Sequence, residues 1–316
     1  MRVLVTGATG FVGRHVVKAL VERGHAVRAA GRSRGREGVV AGVNVELAYA
    51  DVSDASSWQA AMQGVDAVVH LVAIIRERRG MTFDGVNRQG AANVAAAAKA
   101  AGVKAFVHLS AVGAQDNPSY PYLRSKWQGE QALAQSGVAH TILRSSLVFG
   151  PGDEFINTLA GLVKGFPVAP VPGNGQARFQ PIHVEDVARC LAETLERHDL
   201  RGKTVEIGGP EQLTYDQIVE AIARTYGLER WKAHVPVPLL RLPVWLMERV
   251  LDSPPATTQQ LAMLDVENVA AIDAVSQVFG FQPRPLQGNI DYIKDISFTD
   301  AYRIAFGFMP KRIRDH

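Results

Sequence analysis

Three glycines near the start of the chain have the spacing of a phosphate-binding turn. Gly7, Gly10 and Gly13 lie within the segment VTGATGFVG at residues 5–13. We expect the first to form a tight turn, the second to admit a pyrophosphate, and the third to let a helix pack on the preceding strand. The start of that helix offers unpaired N–H groups and a positive dipole end to the phosphates. The spacing therefore predicts a dinucleotide site, the alternative being a glycine-rich turn that binds nothing.

Arginines after the second predicted strand indicate which dinucleotide the site prefers. An NAD site has an acidic residue here, which accepts a hydrogen bond from the ribose 2′-hydroxyl. This chain has Arg32, with Arg34 and Arg36 close behind it. Because a guanidinium pairs with a 2′-phosphate whereas a carboxylate repels it, the sequence favours NADP(H) over NAD(H). The alternative is that these arginines are solvated, above all Arg36.

Asp51 and Val52 follow the third predicted strand, Val45–Tyr49. This position suits an adenine ring, since the carboxylate can accept from the exocyclic amine and the valine can form an apolar wall. The alternative is that Asp51 caps a helix that begins near Asp54.

The elements that position these residues alternate between strands and helices. Apolar runs predict strands at residues 2–6, 25–30, 45–49, 67–71, 104–109 and 140–143, and helical spacing predicts helices at 11–23, 85–101 and 120–135. This alternation predicts an α/β fold of the Rossmann type, a doubly wound parallel sheet that binds ligands at its carboxyl edge. We expect a nucleotide-binding domain at residues 1–150 and a smaller, mostly helical substrate or lid region at 151–316.

Composition narrows the class of protein. The 316 residues are 47% hydrophobic and 21% charged, with a formal charge of +3. We find no dense basic block with interleaved aromatics, so we expect no nucleic-acid partner, and no cluster that predicts a metal site. The single cysteine, Cys190, fits a reducing compartment. Since no leader precedes the first strand and no apolar run is long enough to span a bilayer, we expect a cytoplasmic protein, with peripheral membrane attachment as the alternative.

Several motifs in order along the chain resemble those of a known superfamily. They are TGATGFVG, HLVA after the fourth strand, Asn87 in the next helix, YLRSK at residues 122–126, LRSSLVFGPGD and FQPIHVEDVA. Together they resemble the extended and atypical short-chain dehydrogenase/reductase superfamily. HLSAVGA, YLRSKWQGE and the tail PLLRLPVWLMERVLDSPPATTQQLAMLDVENV are most similar to the branch of the nucleotide-binding accessory (alpha) subunit of respiratory complex I and its free-standing bacterial relatives.

The resemblance implies a catalytic group on the helix after the fifth strand. Tyr122 and Lys126 are four residues apart and so share one helix face. In the superfamily the tyrosine hydroxyl transfers a proton to or from a substrate oxygen, and the lysine lowers the tyrosine pKa and holds the ribose. Asn87 resembles the helix asparagine that reaches a water or a backbone group.

The resemblance also implies the remaining nucleotide contacts. The full predicted set is Gly7, Thr9, Gly10, Phe11, Val12, Gly13, Arg32, Asp51, Val52, Leu71, Ala73, Tyr122 and Lys126.

The chain departs from the superfamily at the catalytic serine. Active extended members have a Ser or Thr directly after the serine that ends the fifth strand. Here Ser110 is followed by Ala111, so the polarising hydroxyl is missing unless Ser110 replaces it. The sequence thus leaves two functions open. One is a binding role in which NADP(H) is a structural component of an accessory protein near a membrane-bound respiratory partner. The other is an active NADPH-dependent reductase, or a nucleotide-sugar epimerase or dehydratase.

The substrate side gives a weaker signal. An arginine cluster near the carboxyl edge predicts an anionic substrate or partner: Arg76, Arg78, Arg79, Arg124, Arg144 and Arg178. The alternative is that these are separate solvated arginines, above all Arg78 and Arg79. A hydrophobic, quinone-like or isoprenoid-like substrate is equally compatible with the sequence. Residues 167–172 are proline-rich and predict a turn region.

The segment VPVPLLRLPVWLMERVL at residues 235–251 differs in composition from the rest of the chain. Leu240, Val244, Met247 and Leu251 form one helical stripe, and Pro243 predicts the start of the helix. We favour packing of this stripe as a lid, with a membrane-surface helix or a partner site as the alternatives.

Overall fold

A computed structural model describes residues 1–35, 37–40, 42–78, 80–251 and 254–315 of the chain. The strands are β1 (Arg2–Thr6), β2 (Ala26–Gly31), β3 (Val45–Tyr49), β4 (Ala67–His70), β5 (Ala105–Ala111), β6 (His140–Ser145), β7 (Val148–Phe149), β8 (Val168–Pro172), β9 (Arg178–Phe179), β10 (Ile182–His183), β11 (Thr204–Ile207), β12 (Leu213–Thr214) and β13 (Trp231–Val235). The helices are α1 (Phe11–Glu22), α2 (Trp58–Ala61), α3 (Gly90–Ala100), α4 (Pro121–Gln135), α5 (Phe155–Gly165), α6 (Val184–Thr194), α7 (Tyr215–Tyr226), α8 (Val237–Val250), α9 (Thr258–Met263), α10 (Ala274–Phe279), α11 (Phe298–Ala305) and α12 (Lys311–Arg314).

The main sheet has the strand order β11-β6-β5-β4-β1-β2-β3, and its pairs are parallel. Its central strands are buried on both faces, and Val3, Leu4 and Val5 are fully buried. Continuous apolar runs of this kind are typical of parallel strands that helices cover on both sides. The order reverses direction between β1 and β4, which is the switch point where doubly wound sheets bind ligands. The predicted α/β, Rossmann-type fold is confirmed.

The chain forms two compact units that interleave in sequence. Unit 1 comprises Met1–Ser145 and Val184–Ile207, and unit 2 comprises Ser146–His183 and Gly208–His316. In unit 1 the chain returns so that α6 packs on α1 and β11 completes the sheet beside β6. The domain division after residue 150 stays a prediction.

Unit 2 has its own core, in which α5 packs against both α7 and α11. A Cβ atom at Gly161 of α5 would meet the Ile304 side chain of α11 at 2.7 Å, so the two helices need a glycine at their contact. The helix α7 begins with a capping box between Thr214 and Gln217 and ends at Gly227 in the left-handed conformation.

Three predicted boundaries were wrong. The fifth strand continues to Ala111, because β6 itself extends to Ser145 and pairs with it. Residues 167–172 contain the strand β8, which pairs in parallel with β13; as the strand of a two-stranded ladder, it tolerates prolines. The helix α8 begins at Val237 and includes Pro243, since Pro238 at its start is already preorganised for a helix.

Candidate nucleotide site and catalytic group

The glycine turn between β1 and α1 is closed to any larger residue. Gly7 has a φ of +70°, and the Gly10 N–H donates to the Gly7 carbonyl oxygen at 2.9 Å. A Cβ atom at Gly13 would lie 2.1 Å from that carbonyl oxygen and 2.8 Å from the Ala8 Cα. The sequence therefore needs glycine at both ends of the turn, as the spacing predicted. The turn brings the start of α1 directly against the end of β1.

The N-terminus of α1 is not capped by a described side chain. Gly10 is the N-cap residue and has no side chain, so the N–H groups that follow at Phe11 and Val12 lie in an uncapped first turn. Such a helix end carries a partial positive charge and several unsatisfied donors. Thr9 lies beside Gly31 at the end of β2. A Cβ atom placed on Gly31 would be 3.8 Å from the Thr9 hydroxyl oxygen. The turn thus has the open backbone that a pyrophosphate needs.

The arginines after β2 lie on the surface of unit 1. Arg32 is exposed, and its Nη1 contacts the Met81 sulfur at 3.1 Å. The Arg34 guanidinium lies 5.3 Å from the centre of the Tyr49 ring. Arg36 lies outside the described residues. Arg32 therefore keeps a charged group at the carboxyl end of β2, where the sequence predicted a 2′-phosphate contact.

Asp51 and Val52 follow β3, and the structure separates their environments. Asp51 Oδ1 accepts hydrogen bonds from the Ser53 N–H at 2.9 Å and from its hydroxyl at 2.7 Å. The next helical turn is capped by Asp54, so the capping alternative for Asp51 was wrong. Val52 is buried and packs against Gly90 of α3. The adenine contact of these two residues stays a prediction.

Leu71 and Ala73 follow β4, at the switch point of the sheet. The Leu71 N–H donates to Thr6 Oγ1 at 3.2 Å, which joins the ends of β4 and β1. The same hydroxyl is hydrogen-bonded to His70 Nδ1 at 2.8 Å. Leu71 is half-buried and Ala73 is exposed, so this backbone borders the edge at which the glycine turn lies.

Asn87 lies in a π-helical turn, Asp84–Gln89, before α3. Its side-chain oxygen accepts from the Ile74 N–H at 2.8 Å, and its amide donates to the Ile74 carbonyl at 3.0 Å and to Ser125 Oγ at 2.9 Å. Ser125 in turn donates to the Tyr122 carbonyl at 2.7 Å. The π turn and these bonds tie the segment after β4 to the start of α4. Asn87 therefore reaches a backbone group, as the resemblance implied.

Tyr122 and Lys126 share the inner side of α4. Lys126 is buried, its Nζ donates to the Leu109 carbonyl at 2.7 Å, and burial lowers its pKa to about 8. Tyr122 is half-buried, its ring lies 6.1 Å from that of Phe83, and burial raises its pKa to about 12. The resemblance implied a lowered tyrosine pKa. The direction is opposite here because burial dominates while the lysine ammonium binds a backbone carbonyl.

Ser110 and Ala111 are consecutive residues of β5 and so point to opposite faces of the sheet. Ser110 is buried, and its hydroxyl has no hydrogen-bond partner among the described residues. Ala111 is also buried and carries no polar group. The pairing of β5 with β6 continues through Ala111 and fixes the register of the strand. The position after Ser110 therefore holds a side chain without a hydroxyl.

Comparison with known proteins places this geometry in a family. Residues 3–208 match the family described as "NAD dependent epimerase/dehydratase family". The chain belongs to this family. The match extends from β1 to just beyond β11 and so includes all the predicted nucleotide contacts.

Individual relatives within this family differ in their described roles. The chain is 30% identical over 245 residues to the mitochondrial NADH dehydrogenase [ubiquinone] 1 alpha subcomplex subunit 9 of Arabidopsis thaliana, covering 74% of this chain and 60% of that protein. It is 33% identical over 189 residues to a ceramide reductase of Caulobacter vibrioides, covering 60% of this chain and 59% of that protein. The match thus spans about 60% of the length of both relatives. The predicted resemblance to the complex I subunit is confirmed.

A solved structure with the same fold contains a nucleotide. The NADPH-dependent quinone oxidoreductase QOR2 of Escherichia coli, complexed with NADPH, aligns with a TM-score of 0.75 at 21% identity. The alignment covers 93% of this chain and 100% of that one.

Sequence reasoning missed three groups in this family member. His70 and His108 stack on neighbouring strands with ring centres 5.3 Å apart, and both are buried. Burial lowers the pKa of His70 to about 3, and burial and the Lys126 charge hold the pKa of His108 well below its usual range. Ser125 was missed as the link to Asn87. A histidine two residues before Ser110, in an otherwise apolar strand, was the available signal.

Three arginines of the predicted cluster form ion pairs with carboxylates of the protein itself. Arg144 forms a two-pronged pair with the buried Glu130 at 2.9 and 2.7 Å. Arg124 pairs with Asp116, and Arg178 pairs with Glu267. Arg79 lies outside the described residues. An anionic substrate held by these arginines therefore has less support than the sequence suggested.

In the described parts of the chain, no group of three or more His, Cys, Asp or Glu side chains is arranged to hold a metal ion. No helix of those residues is long and apolar enough to cross a bilayer.

Proposed function

We propose that this family member is an NADP(H)-binding protein whose nucleotide serves chiefly as a structural component. The observation that carries the proposal is the turn at Gly7–Gly13, which leaves the start of α1 uncapped and excludes a Cβ atom at Gly13. Buried or half-buried donors at a helix start need a partner, and a pyrophosphate supplies one. Phe11 and Val12 would donate their N–H groups to that phosphate. Thr9 and Leu71 would border it.

The preference for NADP(H) rests on Arg32. Its exposed guanidinium follows β2, where an acidic residue would otherwise accept from the ribose. It would pair with a 2′-phosphate as a charge-assisted donor. Asp51 and Val52 would then contact the adenine ring.

A structural role for the nucleotide is supported by three features of the catalytic group. Ala111 carries no hydroxyl, and Ser110 is buried on the other face of β5. Burial raises the pKa of Tyr122 to about 12, which is far from the pKa that suits proton transfer near neutrality. Lys126 binds the Leu109 carbonyl and would reach a ribose only by rearranging. A site with these properties is better suited to binding a nucleotide than to catalysing hydride and proton transfer with it.

A membrane-bound partner is supported by the outer face of α8 and by the relative named as a complex I subunit. Of the predicted stripe, only Val244 is fully buried. The opposite side of the helix exposes apolar side chains: Leu239, Leu242, Trp245, Leu246 and Val250. A continuous exposed apolar face of this kind marks an interaction surface. We propose that α8 docks on a membrane-bound respiratory partner rather than closing a pocket as a lid.

The alternative function is an active NADPH-dependent reductase, and the Asn87–Ser125–Tyr122 chain of hydrogen bonds favours it. These hydrogen bonds are 2.7–3.0 Å long and hold the start of α4 in position. A bound NADPH would supply a hydride to the substrate. Tyr122 would donate the proton, and Lys126 would hold the ribose.

The deciding experiment is to purify the protein, denature it, and identify the released nucleotide and its stoichiometry. Near-stoichiometric NADP(H) supports the structural role. An empty site that binds NADPH reversibly supports the reductase. A protein that binds neither NADPH nor NADH when titrated contradicts both.

A further inference from the structure

An exposed group of aromatic rings in unit 2 takes no part in the proposed nucleotide site. On α11, Phe298, Tyr302 and Phe306 follow one another at intervals of four residues and are 63%, 49% and 61% exposed. Residues four apart share one face of a helix. The opposite face of α11 holds Ala301 and Ile304, which are buried against α5. The three rings thus lie on the side of α11 that faces away from the core of unit 2.

Contacts with two further elements extend this face. The ring of Phe166, which directly follows α5, lies 5.6 Å from the Tyr302 ring in an edge-to-face arrangement. Two residues later, Val168 begins β8 and pairs in register with Trp231, the first residue of β13. Both are exposed, and Trp231 is 83% exposed. We call these six residues the aromatic surface: Phe166, Val168, Trp231, Phe298, Tyr302 and Phe306.

Cationic side chains flank the aromatic surface. Arg303 is the next residue after Tyr302, and Lys311 is the first residue of α12. Both are exposed, and neither pairs with a carboxylate among the described residues. At the β13 end, Glu229 and Arg230 are adjacent in the chain and carry opposite charges.

The acidic residues of the α11–α12 segment are already paired. Residues 296–315 contain four basic and two acidic side chains. Asp300 forms an ion pair with Arg312, and Asp315 forms one with Arg314. The two remaining basic side chains therefore leave excess positive charge beside the aromatic surface.

We propose that the aromatic surface binds the headgroup region of a bilayer that contains anionic phospholipids. Aromatic rings favour the boundary between headgroups and acyl chains, and neighbouring Lys and Arg side chains are attracted to lipid phosphates. The Lys164 ammonium lies 5.7 Å from the centre of the Phe298 ring, so it can reach the headgroups while its stem stays on the ring. Neither the nucleotide nor α8 takes part in this contact.

The small number of polar atoms favours lipid over a protein partner. Among the six side chains, only the Tyr302 hydroxyl and the Trp231 indole N–H can form hydrogen bonds. A protein interface uses about one hydrogen bond per 100–200 Å². A bilayer has no fixed partner positions and needs only apolar area and attraction between opposite charges.

The test is co-sedimentation of the full-length protein with two kinds of vesicle, phosphatidylcholine alone and phosphatidylcholine mixed with phosphatidylglycerol. We expect binding to the mixed vesicles to be at least about tenfold tighter, because the negative surface potential attracts Arg303 and Lys311. Added salt should reduce this preference. Equal binding to the two kinds of vesicle would overturn the assignment of anionic lipid. Absence of binding to either kind would overturn the proposal as a whole.

A matched pair of variants locates the contact. The double variant Phe298→Ser, Phe306→Ser removes two exposed rings, and we expect it to weaken vesicle binding at least about tenfold. Ile272→Ser changes an apolar side chain of similar exposure between α9 and α10 and should leave the binding unchanged. All three side chains are exposed, so both variants should fold and bind NADPH like the parent protein. Equal loss in the two variants would overturn the proposal, as would loss in Trp245→Ser instead, which would place the lipid contact on α8.

The charge part of the proposal has its own variant. Arg303→Gln combined with Lys311→Gln should remove most of the preference for the mixed vesicles and retain the weaker binding to phosphatidylcholine. An unchanged preference would contradict a role for these two side chains in lipid binding.

Sedimentation velocity without lipid tests whether a second copy of the chain covers the rings. We expect the oligomeric state to be the same in the parent protein and in the double variant Phe298→Ser, Phe306→Ser. A dimer that this variant dissociates would overturn the proposal, because the rings would then be buried between two copies.

Discussion

The N-termini of α1 and α5 both carry the partial positive charge of a helix start, but only that of α5 is bound by a carboxylate of the protein itself. The helix α1 follows a glycine turn and has no side-chain cap, so its positive end remains available. The helix α5 also follows a glycine segment, but Asp153 accepts from the N–H groups of Ile156 at 2.6 Å and Gly150 at 3.3 Å. A helix end that the protein caps with its own carboxylate has no need of an anion. An uncapped helix end beside a glycine turn can instead interact with the charge of a bound anion.

The largest expected effect is at the uncapped end. Gly13→Ala places a Cβ atom 2.1 Å from the Gly7 carbonyl oxygen, so the turn must move. We expect NADPH affinity to fall more than about a hundredfold, with a loss of about 1–3 kcal/mol in the free energy of unfolding. Gly38→Ala is the control, because no atom lies within 4 Å of its Cβ position. Titration by fluorescence measures the affinity, and an unchanged value for Gly13→Ala would mean that α1 does not hold the phosphates.

At the capped end the expected loss is one of stability. Asp153→Ala removes the cap of α5 and leaves the buried Tyr292 hydroxyl without its acceptor. We expect the free energy of unfolding to fall by about 3 kcal/mol in chemical denaturation, with NADPH affinity retained. Asp54→Ala removes an exposed cap, where we expect a clearly smaller loss. Equal losses for the two variants would show that burial of the Asp153 cap adds nothing.

One buried ionisable group in each unit extends this contrast. Lower pH should decrease the stability contributed by His70 in unit 1 and increase the stability contributed by Asp153 in unit 2. The pKa of His70 is lowered to about 3, so the unfolded chain binds more protons and unit 1 loses stability as pH falls below about 6.5. The pKa of Asp153 is raised to about 6, so its effect on unit 2 is a loss of stability as pH rises from about 4 to 6. Each group contributes a slope of about 1.4 kcal/mol per pH unit within its window.

Chemical denaturation between pH 7 and pH 5 tests the histidine part of this contrast. His108→Leu should flatten the acid-induced loss, because the ring has no hydrogen-bond partner in the described residues and a neutral side chain needs no proton. An unchanged slope in this variant would assign the acid sensitivity to other groups.

Arg32→Ala tests what the uncapped helix end holds beyond a pyrophosphate. We expect NADPH binding to weaken by about 1.5–3 kcal/mol, as is typical of a lost charged hydrogen bond, and NADH binding to stay the same. Arg34→Ala should have a smaller effect, since that guanidinium lies over the Tyr49 ring. Equal losses for NADPH and NADH would contradict a 2′-phosphate contact.

Tyr122→Phe has the smallest expected effect on binding. The phenol is half-buried and its pKa is raised to about 12, so its loss should change NADPH affinity by less than about 0.5 kcal/mol. In a reductase assay the same variant should abolish any turnover. Turnover that survives the substitution would remove Tyr122 from the catalytic group.

The sequence predicted the parts of the fold that depend on local patterns. A buried apolar run located β1 to the residue, β3 was also located to the residue although its side chains are half-buried or exposed, and glycine spacing located the turn before α1. Patterns failed where partners far along the chain decide the structure. The extension of β5 to Ala111 depends on its pairing with β6, and the strand β8 depends on β13 some sixty residues later. Side-chain burial was equally invisible, so neither the raised pKa of Tyr122 nor the burial of the Ser110 hydroxyl had a sequence signal.

The late position of β11 has a consequence during synthesis. Its partner β6 is complete at Ser145, but Thr204–Ile207 leave the ribosome only after the whole segment from β7 to α6 has been made. At about 5–20 residues per second, the apolar strand β6 waits about 3–12 s with one row of backbone groups unpaired. An unpaired sheet edge is a template for aggregation, so a nascent or truncated chain that ends between Ser145 and Thr204 should require chaperones that the complete chain does not.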